Sequence, residues 1–522
     1  MTVDIRLENC RIVDGTGTPW FRGSIGVADG RIETVTRGDS PERDADRTVD
    51  LDGLTLAPGF IDLHSHSDLR LFSRPELAPK TMQGVTTEIL GQDGFSMAPM
   101  YRENGASQWE DHVSGLDGRP ERDWAWGSMG EYFDAIEASG VAPNVASLVG
   151  HGTVRFDVMG MADRRPDDDE LSTMADRVTE ALEAGAVGLS TGLVYTPQVN
   201  ADTDELRALA RSAAPFDRPF VAHIRNEADD IWTALDEFID VGASEGIPLH
   251  LSHFKVMYGR QHGKSRRAIE FLEAARERGV DITADQYPYK AGSTMLASFL
   301  PAWTRTGDVD DTVGHLRDET DRDRIRDHLA DVTVPWEDVS VTSVASEENE
   351  RFVGMSIVEI AAERGTDPEV AVMDLLAEER LEVEEVSFHS IESDVRNILE
   401  YERAAVATDG LLGGEPHPRT YGTYPRVLGH YARDQNLFSI EEAVRMMTSL
   451  PARVIGLHTK GIIRPGADAD LVAFDPDRVS TPATYEEPRR PPNGIPHVLV
   501  NGTFVVEHGE HTGATPGTVI RK

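Results

Sequence analysis

One unit recurs through the middle of the chain: an amphipathic stretch, a glycine, then a short apolar run. It reads ALEAGAVGLSTGL at 181–193, FIDVGASEGIPLHLSHF at 238–254 and FLEAARERGVDITADQYPY at 271–289. Apolar positions at helical spacing, interrupted at Gly185, Gly246 and Gly279, predict helices that each stop at a left-handed residue. The apolar runs that follow are too short for helices and read as buried strands. Eight such runs fall near residues 55–64, 86–92, 144–150, 187–193, 219–224, 248–253, 281–286 and 404–409. Buried strands alternating with helices argue for an α/β fold whose parallel sheet is covered on both faces. Eight units suit a closed (β/α)8 TIM-like barrel, in which active sites sit at the C-terminal ends of the strands. An open doubly wound sheet is the alternative, but no GxGxxG turn opens one here.

The two ends follow a different pattern. RLENCRIVDGTG and SIGVADGRIETV near the start, and ADLVAFDP and IPHVLVNGTFVVEHGEHTG near the finish, alternate apolar with polar residues. Asp29-Gly30 and Asn501-Gly502 between such runs predict tight β-hairpins. Neither end can hold a core alone, so residues 1–57 and 456–522 are expected to build one small β-sandwich beside a barrel of 58–455. The stretch at about 292–395 is too long for a loop between the last two strands. With charged helical segments such as DVDDTVGHLRDETDRDRIRDHL, it reads as an inserted subdomain. A lid over the barrel mouth and a solvated decoration account for that charge equally well.

At 522 residues the chain exceeds one ordinary core, in keeping with a large and a small domain. No apolar run is long enough to span a bilayer, and MTVDIRLENC lacks the basic end and apolar centre of a signal peptide. The expectation is a cytoplasmic protein without a membrane partner. Cys10, the single cysteine, excludes an intrachain disulfide framework. The net charge of −40 makes nucleic acid an improbable partner. Only six lysines (Lys80, Lys255, Lys264, Lys290, Lys460 and Lys522) accompany 45 arginines, and the acids are scattered rather than gathered in a tail. Such self-repulsion is tolerable where salt screens it, since the Debye length falls to about 3 Å at 1 M. A halophilic source is therefore expected. Oligomeric state is not readable from this pattern.

Four histidines and two aspartates lie near the C-terminal ends of predicted strands. They are His64 and His66 in GFIDLHSH, Asp93 in GQDG, His223 in VAHIR, His253 in LHLSHF and Asp409 in VATDG. A spacing of two on a strand would put His64 and His66 on one face. Taken singly, an HxH pair or a strand-end histidine is more often structural. Four histidines at interior strand ends instead favour a shared divalent cation, zinc or a similar ion, in one or two copies. Asp93 is either a bridge between two ions or a turn-former before Gly94, and the two readings stand level. Asp409 suits a group that takes a proton from an attacking water and hands it to a leaving amine, against a plain Asp-Gly turn.

In the segments PGFIDLHSHSD (58–68), GVTTEILGQDGFSMAP (84–99), LVGHGTVR (148–155), GLSTGLVYTP (188–197), HIRNEAD (223–229), SHFKV (252–256), YPYKAGST (287–294) and HPRTYGTYPRVLG (417–429), the chain resembles the amidohydrolase superfamily, and within it the N-acyl-D-amino-acid deacylases. The likeness runs nearly end to end. It implies zinc-dependent hydrolysis of the amide of a small-molecule N-acyl-D-amino acid. By matching motif, it implies that His223, His253 and Asp93 hold a tightly bound ion. It likewise implies a weaker position at His64, His66 and Asp409, with Asp409 as catalytic base and acid. Lys255, Tyr287, Ser293 and Arg419 are implied as substrate contacts, and a planar guanidinium at Arg419 suits a carboxylate. The family usually carries cysteine in an Asn-Cys-Gly turn where this chain has Gln92-Asp93-Gly94, a hard ligand in place of a soft one. Two alternatives remain: an amidohydrolase acting on a cyclic amide or dipeptide, and a metal-free, non-catalytic relative. Hydantoinase-like enzymes use a lysine at the end of the fourth strand, and none occurs between Lys80 and Lys255, which weighs against the cyclic amide.

Overall fold

The computed structural model describes residues 2–38, 44–117 and 124–522. Eight parallel strands form the central barrel. They are β1 (Phe60–Asp62), β2 (Val85–Leu90), β3 (Asn144–Ser147, resuming as Val149–Gly150), β4 (Leu189–Gly192), β5 (Phe220–His223), β6 (Leu249–Leu251), β7 (Ile282–Gln286) and β8 (Ala404–Val406). β1, β2 and the first half of β3 pair in order, and the second half of β3 continues through β4, β5, β6 and β7 to β8. The ring closes between β8 and β1, where Ser65 bridges Gly410 in parallel and the Asp409 N–H donates to the His64 carbonyl at 2.8 Å. Closure leaves the barrel no open edge and gathers its C-terminal strand ends into one mouth.

The predicted helix–glycine–strand units form as read. Asp168–Glu183 begins on an Asp167 side chain that accepts from the Glu170 N–H, and buries Met174, Val178, Ala181 and Leu182. Ile231–Glu245 ends at Gly246, whose φ of 67° closes the last turn. The run predicted at 55–64, however, is two strands. Thr55–Pro58 belongs to the terminal sheet and Phe60–Asp62 to the barrel. The switch falls at Gly59, where a Cβ would lie 2.2 Å from Thr86 Oγ1.

Both chain ends join one nine-stranded sheet, through antiparallel pairing of Thr55–Pro58 with Leu471–Phe474. The layers expected of a sandwich are two halves of this single sheet, which curls back on itself. The Ile32 N–H donates to the Ala467 carbonyl at 2.8 Å and the Ala469 N–H to the Gly30 carbonyl at 2.9 Å. The curl encloses Leu7, Ile12, Ile25, Val27, Leu471 and Leu499. Its hairpins turn at Asp29-Gly30 and Asn501-Gly502, all four residues with positive φ, as the short loops require. Cys10 is buried in this core, and burial pushes its thiol up to about 12. The last residues leave the sheet: Pro516 and Val519 bridge Val141 and Val145 beside the start of β3.

Between β7 and β8 lies the inserted unit. Ala291–Met295, Val383–Phe388 and Val339–Val344 form an antiparallel sheet in that order. It packs with helices Val309–Arg317, Glu319–Ala330, Ile357–Arg364 and Pro368–Glu378 around a core that includes Leu316, Ile325, Val341, Phe352 and Leu375. Gly292, Ser293, Thr294, Glu385 and Ser387 line the cavity at the barrel mouth, so the insertion is a wall of the site rather than a solvated decoration.

A buried cation secures the seam between β1 and β8. Lys80 is fully buried, and its Nζ lies 2.7 Å from Asp62 Oδ2, 2.6 Å from Thr408 Oγ1 and 2.9 Å from Ser65 Oγ. Asp62 also accepts from the Thr408 N–H at 2.8 Å, and Glu88 lies 3.8 Å from Nζ. Substitution Lys80→Met would leave Asp62 and Glu88 buried without their cation. The expected destabilisation is about 3–5 kcal/mol, read from denaturant unfolding in molar salt. A loss below about 1 kcal/mol, the scale of an exposed pair, would show that the clamp contributes little.

Candidate metal centre

All six residues singled out as metal ligands meet at the mouth. His64 and His66 do not lie on β1, as their spacing suggested, but two and four residues beyond its end. They converge because the chain there is fastened across to Gly410. His223 is the last residue of β5, while Asp93, His253 and Asp409 follow β2, β6 and β8. These three share a feature: φ is 54° at Asp93, 35° at His253 and 49° at Asp409. The left-handed region disfavours residues with a Cβ, so three such turns at one mouth mark a site held against local preference.

Asp93 stands between two groups of imidazoles. Its Oδ1 is 3.7 Å from His253 Nε2 and 3.9 Å from His223 Nδ1. Its Oδ2 is 3.6 Å from His64 Nε2 and 3.7 Å from His66 Nε2. Asp409 Oδ1 adds a further oxygen, 3.4 Å from His64 Nε2 and 3.3 Å from His66 Nε2. Ligands of one tetrahedral zinc, each about 2.0–2.2 Å from it, sit roughly 3.3 Å apart, close to these separations. The chemistry of the unpaired atoms agrees. Both ring nitrogens of His64, His223 Nδ1 and Asp93 Oδ1 are buried without a hydrogen-bond partner. Orphans of this kind cost about 1–3 kcal/mol each unless a ligand engages them. The donors form two overlapping groups, His64–His66–Asp93–Asp409 and Asp93–His223–His253, so Asp93 belongs to both and is turn-former and potential bridge at once.

Sequence reading passed over the carboxylates behind the imidazoles. Glu227 lies 3.4 Å from His223 Nε2, 3.2 Å from His253 Nδ1 and 2.8 Å from Lys255 Nζ. Its signal was the four-residue spacing from His223 in HIRNEAD. Asp285 accepts from the His253 N–H at 2.8 Å and lies 2.8 Å from His250 Nε2. Glu227 can thus fix the tautomer and aim of both rings, while Asp285 anchors the backbone that carries His253. The electrostatics show a site that demands positive charge. Burial opposes the charge on Asp93, but His64 and the neighbouring imidazoles hold its carboxyl well below the usual range. For Asp409 burial is outweighed by the Arg419 guanidinium and His64. Burial and Lys255 push His253 down, yet Glu227 and Asp93 outweigh them and leave it raised to about 10.

Lys255, Tyr287, Ser293 and Arg419 line the same 310 Å³ cavity as Asp93, His223 and Asp409. Arg419 is fully buried, its guanidinium 4.6 Å from the Tyr287 ring centre. Nη1 lies 2.9 Å from Asp409 Oδ2, and Nη2 donates to the Ser293 carbonyl at 2.9 Å. Nη1 is taken by this ion pair, while Nε has no partner and is the free donor of the fork. The Tyr287 hydroxyl is 3.3 Å from His389 Nε2 on the insertion. Val194 and Tyr195 also line this cavity. Met295 instead lines a neighbouring cavity, and Leu296 is buried in the insertion's core.

A (β/α)8 barrel with imidazole and carboxylate groups that could hold a metal gathered at its C-terminal mouth fits the class of metal-dependent barrel hydrolases. Residues 47–506 match the model of the Amidohydrolase family. The chain is 36% identical to D-aminoacylase of Alcaligenes xylosoxydans xylosoxydans over 99% of its own length and 98% of the relative's. It is also 36% identical to N-acyl-D-glutamate deacylase of the same organism, over 100% and 97%. Among solved structures, the N-acyl-D-glutamate deacylase of Bordetella bronchiseptica, complexed with zinc and a phosphonate mimic of the tetrahedral intermediate, matches with a TM-score of 0.87 and 35% identity across all of both chains. The chain belongs to the amidohydrolase family, and within it to the N-acyl-D-amino-acid deacylases.

Proposed function

We propose that the protein hydrolyses the amide bond of N-acyl-D-amino acids, releasing a D-amino acid and a carboxylate. The observation that carries this is Asp93 between two imidazole groups, with Asp409 and Arg419 on the same cavity. In this reading Asp93, His223 and His253 would hold a zinc ion, and His64, His66 and Asp409 would supply a second, weaker position. Zinc, when bound, polarises the amide carbonyl and acidifies water. Arg419, stacked on Tyr287, binds the substrate carboxylate, while Lys255 and Ser293 contact the substrate beside it. Glu227 orients the rings of His223 and His253, and Asp285 holds the His253 backbone. Asp409 takes the proton of the attacking water at Oδ1 and passes it to the leaving nitrogen.

The test is purification in molar salt, metal analysis, and a panel of N-acetyl-D-, N-acetyl-L- and cyclic amide substrates. Hydrolysis of the D series that chelation abolishes and zinc restores is the expected result. Equal or faster turnover of the L or cyclic compounds would overturn it.

The same proposal includes a salt-adapted, cytoplasmic protein. Of its six lysines only Lys290 and Lys522 are exposed, so the acidic surface is offset almost entirely by arginine. The thermal midpoint is expected to climb steadily from 0.1 to 2 M KCl as surface repulsion is screened. A flat or falling midpoint would argue against salt adaptation.

A further inference from the structure

Glu385 is a carboxyl group without a task in the reaction just described. It lies on the middle strand of the insertion's sheet, is 1% exposed, lines the catalytic cavity, and its Oε2 has no hydrogen-bond partner. Its register partner is Thr294 on the neighbouring strand, so the two side chains leave the same face of the sheet. Thr294 Oγ1 lies 3.0 Å from the hydroxyl of Tyr195, which follows β4 at the barrel mouth. That contact fixes the direction of the face: Glu385 looks across the cavity, not out to solvent. Burial raises its carboxyl to about 8, offset only in part by Ser387 and Arg419, so it is largely protonated at neutral pH and becomes an anion beside a cation or at higher pH.

The cations around the cavity are already engaged. Arg225 donates to Glu237 at 2.9 and 3.1 Å and to the Val199 and Ala201 carbonyls. Lys255 is held by Glu227 and His253, each at 2.8 Å, and in the deacylase reading it already serves the substrate beside its α-carboxylate. Arg419 is ion-paired to Asp409 through Nη1 but keeps a free Nε, and the α-carboxylate of the substrate takes it. A second carboxylate, at the end of a substrate side chain, would find no free cation here and would meet Glu385. The other walls offer it apolar surface at Val194, Leu116 and Leu411 and only uncharged polar groups at Asn226, Ser298 and Tyr258.

We propose that Glu385 sets the side-chain selectivity of this site. It admits N-acyl-D-amino acids whose side chains end in a hydrogen-bond donor, cationic ones above all, and turns away D-aspartyl and D-glutamyl substrates. The inference rests on the deacylase reading and narrows it. A donor at the end of the side chain satisfies the orphaned oxygen, and a charged donor forms the stronger bond.

The experiment compares kcat/KM for N-acetyl-D-lysine, N-acetyl-D-glutamine, N-acetyl-D-methionine and N-acetyl-D-glutamate, with zinc-loaded wild type and Glu385→Gln in molar salt. At about pH 9, where the Glu385 carboxyl is ionised and the lysine side chain still cationic, wild type is expected to favour the lysine over the glutamate compound by roughly a hundredfold, the scale of a like charge against a pair in a buried site. The isosteric Gln variant should shrink that ratio at least tenfold, mostly through KM. Three outcomes overturn the inference alone: D-glutamate turned over as fast as D-glutamine by wild type, an unchanged ratio in the variant, or a uniform loss across the series. The wild-type comparison decides the first of these even if the variant folds poorly. Failure of both proteins on every D compound is a different result, which defeats the deacylase reading itself and this inference with it.

Discussion

Asp409→Asn is expected to lower kcat by about 10³–10⁴, the range of a lost general base and acid, with little change in chain fold. The residue is ionised because the Arg419 guanidinium and His64 outweigh its burial. Its two oxygens are divided between tasks. Oδ1 faces His64 and His66 at 3.4 and 3.3 Å, while Oδ2 faces Arg419 Nη1 at 2.9 Å. Asparagine keeps the shape and an oxygen but cannot accept and return a proton. The loss should therefore fall on kcat more than on KM, because Arg419 remains to bind the substrate carboxylate. Metal analysis guards the interpretation: the His223–His253–Asp93 group is intact in this variant and should still hold zinc. A folded, zinc-loaded Asn variant with turnover within tenfold of wild type would remove Asp409 from the chemistry.

The parts of this molecule that were legible in the sequence are those set by local period. Barrel strands buried on both faces read as short apolar runs, and helices ended at Gly185, Gly246 and Gly279, each with positive φ. The six candidate ligands were legible because four histidines, and two aspartates before glycine, each fell near the end of an apolar run, His64 and His66 sharing one. What was hidden depends on pairing between distant segments. Thr55–Pro58 reads as the start of β1, yet its partner is Leu471–Phe474, more than four hundred residues away. The curl of the terminal sheet rests on backbone bonds such as Ile32 to Ala467, which leave no mark on side-chain pattern. Glu227, Asp285 and Glu385 were hidden for another reason. In a chain with 91 acidic residues, a buried carboxylate looks like any of its solvated neighbours until the fold removes it from water.

The same contrast makes Asp93 the most informative single position. Two separate ions would need separate anions, but here one carboxylate offers Oδ1 to His223 and His253 and Oδ2 to His64 and His66. Asp93→Ala should therefore disturb both groups together. Zinc per chain in the purified variant is expected to fall at least tenfold after dialysis, the scale seen when ligand contacts are lost. Activity should fall by about 10³ or more at fixed zinc, since the groups that position water and substrate lose their common anchor. Asp93→Cys separates the contribution of the anion from that of its hardness. Thiolate keeps the negative charge but prefers softer ions, so this variant should recover zinc while binding manganese or cobalt less well than wild type. If Asp93→Ala retains full zinc and loses only one imidazole group's share of activity, the carboxylate serves a single ion. The left-handed turn at Asp93, φ 54°, would then owe its side chain to the backbone rather than to a bridge.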